Sequence, residues 1–190
     1  MADMSRKKYK MIIAGLEREL TICPINDSLS IAGFIMFGDP ELTTACAEEL
    51  LRIAPEYDYI LTAEAKGIPL AHEMARLAGN QRYFLARKKP KLYMTDIVEV
   101  EDHSITTVGA QKLYLDGADA ALMRGKRILI VDDVISTGES LAALEKLVGA
   151  VGATVAGRLT VLAEGDAAKR DDIRYLEPLP LFTPDGEPIK

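Results

Sequence analysis

Two adjacent acids, Asp132 and Asp133, end the apolar run Ile128-Leu129-Ile130-Val131, and the short segment Ser136-Thr137-Gly138 leads from them into Glu139 and Ser140. A phosphate can be held by the unpaired N–H groups at the start of a helix, helped by the helix dipole. Gly138 lets the backbone curl close to an anion, and Ser136, Thr137 and Ser140 add hydroxyl donors. A carboxylate repels phosphate, so the two acids should face something else. A ribose diol fits, because carboxylates accept strong hydrogen bonds from hydroxyls. The spacing therefore points to a sugar phosphate, with acids on the hydroxyls and loop on the phosphate. No GxxxxGK[ST] is present, which excludes a Walker loop. The bland alternative is a capped strand–helix turn that binds nothing. Against it, two exposed acids at a strand end serve no packing purpose.

Two other segments could serve the same ligand. Thr62-Ala63-Glu64-Ala65-Lys66-Gly67 also links a strand-like run to a helix-like one, which makes a second anion-binding geometry with Lys66 as its cation. Arg87-Lys88-Lys89-Pro90-Lys91 is a cationic cluster after the short run Tyr83-Phe84-Leu85. Such a cluster reads either as a solvated charge run or as a clamp for a polyanion.

These loops need a frame. Asp39-Pro40 opens a helix predicted to run to about Ile53, with Asp39 as N-cap and Pro40 in the first position. Tyr57 to Thr62 suits a buried strand. Ile68 to Leu77 reads as a helix that tolerates Pro69 in its first turn and stops at Gly79. Arg127 to Val131 is a buried strand. Ser140 to Val151 is an amphipathic helix with Leu141, Leu144, Val148 and Val151 on one face, Thr154 to Leu162 is a strand, and Tyr175 to Phe182 is extended. Alternating strands and helices imply an α/β fold, an open parallel sheet flanked by helices. Residues 8–37 carry short apolar runs broken by Pro24 and Asn26-Asp27, predicting two or three strands in a separate flap. Residues 88–113 lack periodicity and read as a mobile functional loop. No linker divides the chain, so 1–190 is expected to form a single domain.

The 190 residues carry 23 basic and 29 acidic side chains, a net charge of −6, which argues against a general nucleic-acid binder. Cys23 and Cys46 fit neither a CxxC motif nor a zinc site and are expected to be reduced and mostly buried. The polar, basic start and the lack of a long apolar run predict no membrane partner and a cytoplasmic location.

The segment Val131-Asp132-Asp133-Val134-Ile135-Ser136-Thr137-Gly138-Glu139-Ser140 resembles the signature of the type I phosphoribosyltransferases, and the likeness extends over roughly residues 35–165. That resemblance implies an enzyme that moves the phosphoribosyl group of 5-phosphoribosyl-1-pyrophosphate to a base, with Mg2+ carried by the substrate rather than by a protein metal site. It gives Asp132 and Asp133 the ribose 2′- and 3′-hydroxyls and Ser136, Thr137, Gly138, Glu139 and Ser140 the 5′-phosphate. Ala65, Lys66 and Gly67 would bind pyrophosphate, often through a strained peptide at Ala65-Lys66. Arg87, Lys88 and Lys91 resemble the Arg-Lys…Lys-Leu stretch of adenine and xanthine enzymes and would face the leaving group, across a homodimer interface as in similar enzymes. Residues 93–112 would close over the reaction. The flap at 8–37 would hold the base, and Phe37-Gly38-Asp39 resembles the Phe-x-Asp stretch whose ring stacks on adenine; a core position suits Phe37 equally.

The base follows less directly. Hypoxanthine–guanine enzymes usually carry an Asp where this chain has Ser136, and Glu139 replaces a frequent Gly, so its side chain is expected to point away from phosphate. The Glu-Tyr pair of the adenine class is missing from 88–113, where Glu99, Glu101 and Asp102 are the candidate base-facing acids. His103-Ser104-Ile105-Thr106 resembles xanthine enzymes and purine-operon regulators. Adenine is the expected base, with xanthine or guanine as alternatives. Rival readings are a regulator sensing phosphoribosyl pyrophosphate, which Val161-Leu162-Ala163-Glu164-Gly165 resembles, and a pyrimidine or orotate enzyme.

Overall fold

The computed structural model describes residues 7–102 and 111–189. Lys8–Ile13 (β1), Leu16–Pro24 (β2) and Ser30–Gly33 (β3) form a three-stranded antiparallel sheet, as the broken apolar runs predicted. Pro40–Ile53 (α1) follows. Its N-cap Asp39 accepts a hydrogen bond from the N–H of Leu42 at 3.0 Å, and Pro40 fills the first turn.

The main sheet has five strands, all parallel, in the order β10-β9-β8-β4-β5. They are Tyr59–Ala63 (β4), Phe84–Ala86 (β5), Arg127–Ile135 (β8), Thr154–Glu164 (β9) and Arg174–Leu179 (β10). Ile68–Leu77 (α2) and Glu139–Ala150 (α4) are the crossover helices of the two central strands. The chain moves outward from β4 to β5, then returns to the opposite side of β4 for β8. The order therefore reverses between β4 and β8, where an open α/β sheet leaves a crevice at its carboxyl edge.

Two apolar layers cover the sheet. Leu42, Leu50, Leu70 and Met74 of α1 and α2 pack with Leu129, Val131 and Leu159. Leu141, Leu144, Leu147 and Val148 of α4 pack with Leu61, Ile128 and Ile130. The small sheet is a distinct sheet, yet Ile13, Leu20, Ile22, Phe34 and Met36 join the first of these layers. Its closing edge comes from far along the chain: Ser30 and Phe182 exchange backbone hydrogen bonds at 2.8 and 2.9 Å.

Three expectations need correction. Residues 88–113 are not one irregular loop, because Val98–Asp102 (β6) and Gln111–Leu115 (β7) pair as an antiparallel hairpin. Leu113 and Leu115 are buried against the α4 layer, which anchors β7. The strand expected to end at Val131 continues to Ile135, so both acids lie within β8. A short helix, Gly117–Met123 (α3), lies where the sequence suggested no element. The segment His103-Ser104-Ile105-Thr106 falls outside the described residues. Cys46 is fully buried, with burial pushing its thiol up to about 12, whereas Cys23 is only partly covered. No helix among the described residues is long and apolar enough to cross a membrane.

Candidate active site at the crevice between β4 and β8

The loops after β4 and β8 meet where the strand order reverses. A cavity of about 360 Å³ opens there, and its lining includes Ala65, Lys66, Lys88, Asp132, Asp133 and Ser140. A second hollow of about 120 Å³ adjoins it, walled by Ser136, Thr137, Gly138, Glu139 and Ser140 together with Asp132. The two sequence segments singled out for chemistry thus share one crevice, with Asp132 and Ser140 lining both parts.

Parallel strands leave their carboxyl ends on one edge, so a residue near the end of β8 reaches the loop that follows β4. Lys66 Nζ lies 3.3 Å from Asp133 Oδ2. The pair is misaligned for a hydrogen bond, since that buried oxygen has no hydrogen-bond partner among the described residues. Asp133 is 3 % exposed, against the expectation of two solvent-facing acids. Its cost of burial is met by the nearby ammonium rather than by water. Asp132 accepts the N–H of Asp133 at 2.9 Å. Burial, and then the negative charge of Asp133, push the Asp132 carboxyl well above the usual carboxylate range. Two neighbouring carboxyl groups form an acceptor site for hydroxyls.

The Asp132 end of the crevice is tight. Gly67 lies where a Cβ would stand 2.4 Å from Thr62 Oγ1 and 3.0 Å from Asp132 Oδ1, so the backbone of the β4 loop presses against the acid. The sequence could not show this close approach. The peptide between Glu64 and Ala65 is cis, one bond before the Ala65-Lys66 position expected to be unusual.

In the β8 loop, Gly138 has φ +83, a conformation that side chains rarely adopt, and it caps α4 without a side-chain hydrogen bond. Ser136 and Thr137 are exposed. The N–H of Glu139 lies 3.5 Å from Thr137 Oγ1. Glu139 forms the first residue of α4 and belongs to the wall of the small hollow.

The cationic cluster is organised by a residue not singled out in the sequence. Glu64 accepts the N–H of Lys88 at 3.0 Å and stands 3.3 Å from Arg87 Nη2 and 3.7 Å from Lys91 Nζ. The Lys88 N–H, then Arg87 and Lys91, hold its carboxyl below the usual range. Arg87 and Lys91 are therefore not a solvated charge run: both reach an acid at the crevice, and Arg87 Nε is buried without a hydrogen-bond partner among the described residues. Lys88 lines the larger cavity.

Phe37 is 52 % exposed and is not a core residue. Its neighbour Asp39 is occupied twice, by the Leu42 N–H and by Arg18 of β2, whose Nε and Nη2 reach its carboxylate at 2.7 and 3.1 Å. His72 packs edge-on to Tyr83 at 6.0 Å, on α2, with a structural role. Among the described residues, no group of three or more His, Cys, Asp or Glu is placed to hold a metal ion.

A family model described as a phosphoribosyl transferase domain matches residues 42–180. A hypoxanthine/guanine phosphoribosyltransferase of Ferroglobus placidus is 35% identical over 133 residues, 70% of this chain and 67% of that protein. Another, of Methanosarcina mazei, is 36% identical over 148 residues, 77% of this chain and 74% of that protein. Among solved structures, the adenine phosphoribosyltransferase of Saccharomyces cerevisiae matches with a TM-score of 0.66 at 22% identity, covering 83% of this chain and 92% of that one. That of Thermoanaerobacter pseudethanolicus gives 0.63 at 24%, covering 74% and 82%. At such identities these structures bear on the fold, and they share its helix-flanked parallel sheet. The matched span runs from α1 to the end of β10 and encloses both loops of the crevice. The chain belongs to the phosphoribosyltransferase family and is a pentosyl-transferring enzyme.

Proposed function

We propose that the chain transfers the phosphoribosyl group of 5-phosphoribosyl-1-pyrophosphate to a purine base and releases pyrophosphate. The observation that carries this reading is the meeting of Lys66, Asp132 and Asp133 with the 136–140 loop in one crevice. The ribose hydroxyls would donate to Asp132 and Asp133, and the 5′-phosphate would sit in the Ser136–Ser140 loop, including Thr137, Gly138 and Glu139. The diphosphate would lie along Ala65, Lys66 and Gly67, with Lys88 at its side and Arg87 and Lys91 behind. Magnesium would arrive with the donor's diphosphate and offset its charge.

The chemistry asked of these residues is placement and electrostatics. As the bond from the anomeric carbon to pyrophosphate breaks, the sugar gains positive charge and the leaving group negative charge. Lys66 and the cations fixed by Glu64 are aimed at the second, and the Asp132–Asp133 pair stands beside the first. The proposal includes no covalent intermediate.

Two readings of the base compete. The relatives at 35% and 36% identity are named for hypoxanthine and guanine, which supports a 6-oxopurine. Adenine is favoured instead by the Phe37-Gly38-Asp39 stretch, with the Phe37 ring exposed and able to stack, and by Ser136 in place of an acid. Of the two, the 6-oxopurine reading rests on the higher sequence identity. Exposed Leu92, Tyr93 and Ile97 beside the cationic segment support a homodimer packed on that side. A panel of adenine, hypoxanthine, guanine, xanthine and orotate, scored by pyrophosphate release with magnesium and the donor, tests the whole reading. Turnover of a purine and not of orotate is expected. Silence with every base, together with donor-dependent DNA binding, would replace the enzyme by a regulator.

A further inference from the structure

Arg170 lies far along the chain from the β8 loop, just after the short 3-10 turn Gly165–Lys169 that follows β9. The fold nevertheless brings it to Gly138, where a Cβ would stand 2.6 Å from Arg170 Nη1. The guanidinium thus occupies the space that a side chain at position 138 would need. Its orientation is fixed from the other side. Nε and Nη2 donate to the two oxygens of Asp172 at 2.8 and 2.7 Å, a bidentate pairing that sets the plane of the group. Asp172 in turn lies 3.9 Å from Arg158 Nε, and Arg158 pairs with Glu145 of α4. A line of alternating charges therefore runs from the body of α4 to the loop at its start. With two of its nitrogens committed to Asp172, the guanidinium turns its Nη1 edge to Gly138.

We propose that Arg170 is a positioning residue for the donor's 5′-phosphate, propping the Ser136–Ser140 loop at Gly138 and adding positive potential beneath it. The inference rests on the function proposed above. Two features of this chain call for such a residue. A loop that binds phosphate mainly through backbone N–H groups must keep its curvature, and Gly138 at φ +83 supplies no side chain to hold it. In addition, the loop is followed by an acid, Glu139, in the first turn of α4, where it opposes an incoming dianion. Arg170 brings a cation against Gly138 without being one of the residues that wall the hollow.

The test compares wild type with Arg170→Gln and Arg170→Lys. Initial rates give KM for the donor and for the base. Titration with ribose 5-phosphate and with pyrophosphate separates the two anion subsites without turnover. In Arg170→Gln, the donor KM and the ribose 5-phosphate dissociation constant should each rise roughly ten-fold, the size expected for one partly screened charge, with base KM and pyrophosphate binding little changed. Arg170→Lys should recover part of the loss, and added salt should weaken ribose 5-phosphate binding less in Arg170→Gln than in wild type. Unchanged ribose 5-phosphate binding in Arg170→Gln would overturn the proposal, as would equal losses for all ligands. If Arg170→Gln does not fold, the Arg170→Lys titration decides: weaker ribose 5-phosphate binding with unchanged pyrophosphate binding there supports the proposal, and wild-type binding of both overturns it. Wild type that turns over no base would sink the function proposed above, whereas an active wild type with an indifferent Arg170→Gln sinks this inference alone.

Discussion

Lys66 Nζ and Asp133 Oδ2 stand 3.3 Å apart, joining the loop after β4 to the strand that precedes the phosphate loop. Each group keeps the other available. The ammonium makes a 3 % exposed carboxylate tolerable, and the carboxylate holds the ammonium at the mouth of the cavity. Replacing Lys66 by Ala should raise KM for pyrophosphate in the reverse reaction about ten-fold or more, and more than KM for the nucleotide. An equal loss for both, measured in the reverse direction, would show that Lys66 serves the fold and not the leaving group.

Asp132→Asn together with Asp133→Asn should cut phosphoribosyl transfer on the order of a thousand-fold while circular dichroism and the melting profile stay native-like. The double change removes a repelling pair as well as two acceptors, so stability should hold or rise slightly. Appreciable transfer by this variant would refute the ribose-diol assignment.

The raised Asp132 carboxyl has two consequences for pH. An unfolded Asp titrates near its ordinary 3.8, whereas folded Asp132 keeps its proton to higher pH. Between those limits the folded state binds more protons than the unfolded state, so this site makes stability fall as pH rises. Asp132→Asn should flatten that part of the stability profile. Donor hydroxyls favour the ionised form, so donor binding should release protons at any pH where folded Asp132 still holds one, and calorimetry in buffers of different ionisation enthalpy measures this. Glu73 acts oppositely. Arg76, helped by Thr44, pulls it down to about 2, so its contribution is present above the ordinary 4.5 and is lost as pH falls toward 2. Glu73→Gln should remove that acid-side loss.

Gly67→Ala should destabilise the protein by about 1–3 kcal/mol, because the new methyl would meet Thr62 Oγ1 at 2.4 Å and Asp132 Oδ1 at 3.0 Å. Thr62 Oγ1 is itself buried without a hydrogen-bond partner among the described residues, so Thr62→Val should be nearly neutral. Urea unfolding of both variants checks the contrast.

Phe37→Ala should raise KM for the base about five-fold or more, with little effect on stability, because the ring is 52 % exposed. A large stability loss with unchanged base KM would return Phe37 to a packing role.

Much of the frame could be read from local signals. The Asp39-Pro40 start of α1 and the Ile68–Leu77 span of α2 follow from capping and proline rules that act within a few residues. The β8 run was read short because Asp132 and Asp133 looked like a strand end. What carries the strand past them is pairing with β9, where Asp132 opposes Thr160 and Val134 opposes Leu162. The β6–β7 hairpin escaped notice because its outer face is charged, Lys112 meeting Glu99 and Glu101, while Leu113 and Leu115 find their apolar partners on a distant helix. Glu64 and Arg170 share that reason. Each matters through a neighbour supplied by another element, and nothing in its flanking residues announces the contact.

The Ser30–Phe182 exchange makes the small sheet depend on a segment from far along the chain, which Phe182 anchors by packing its ring edge-on to Tyr9 at 5.0 Å. Removing residues 180–189 should therefore show first as raised hydrogen exchange at Ser30, at the opposite end of the polypeptide.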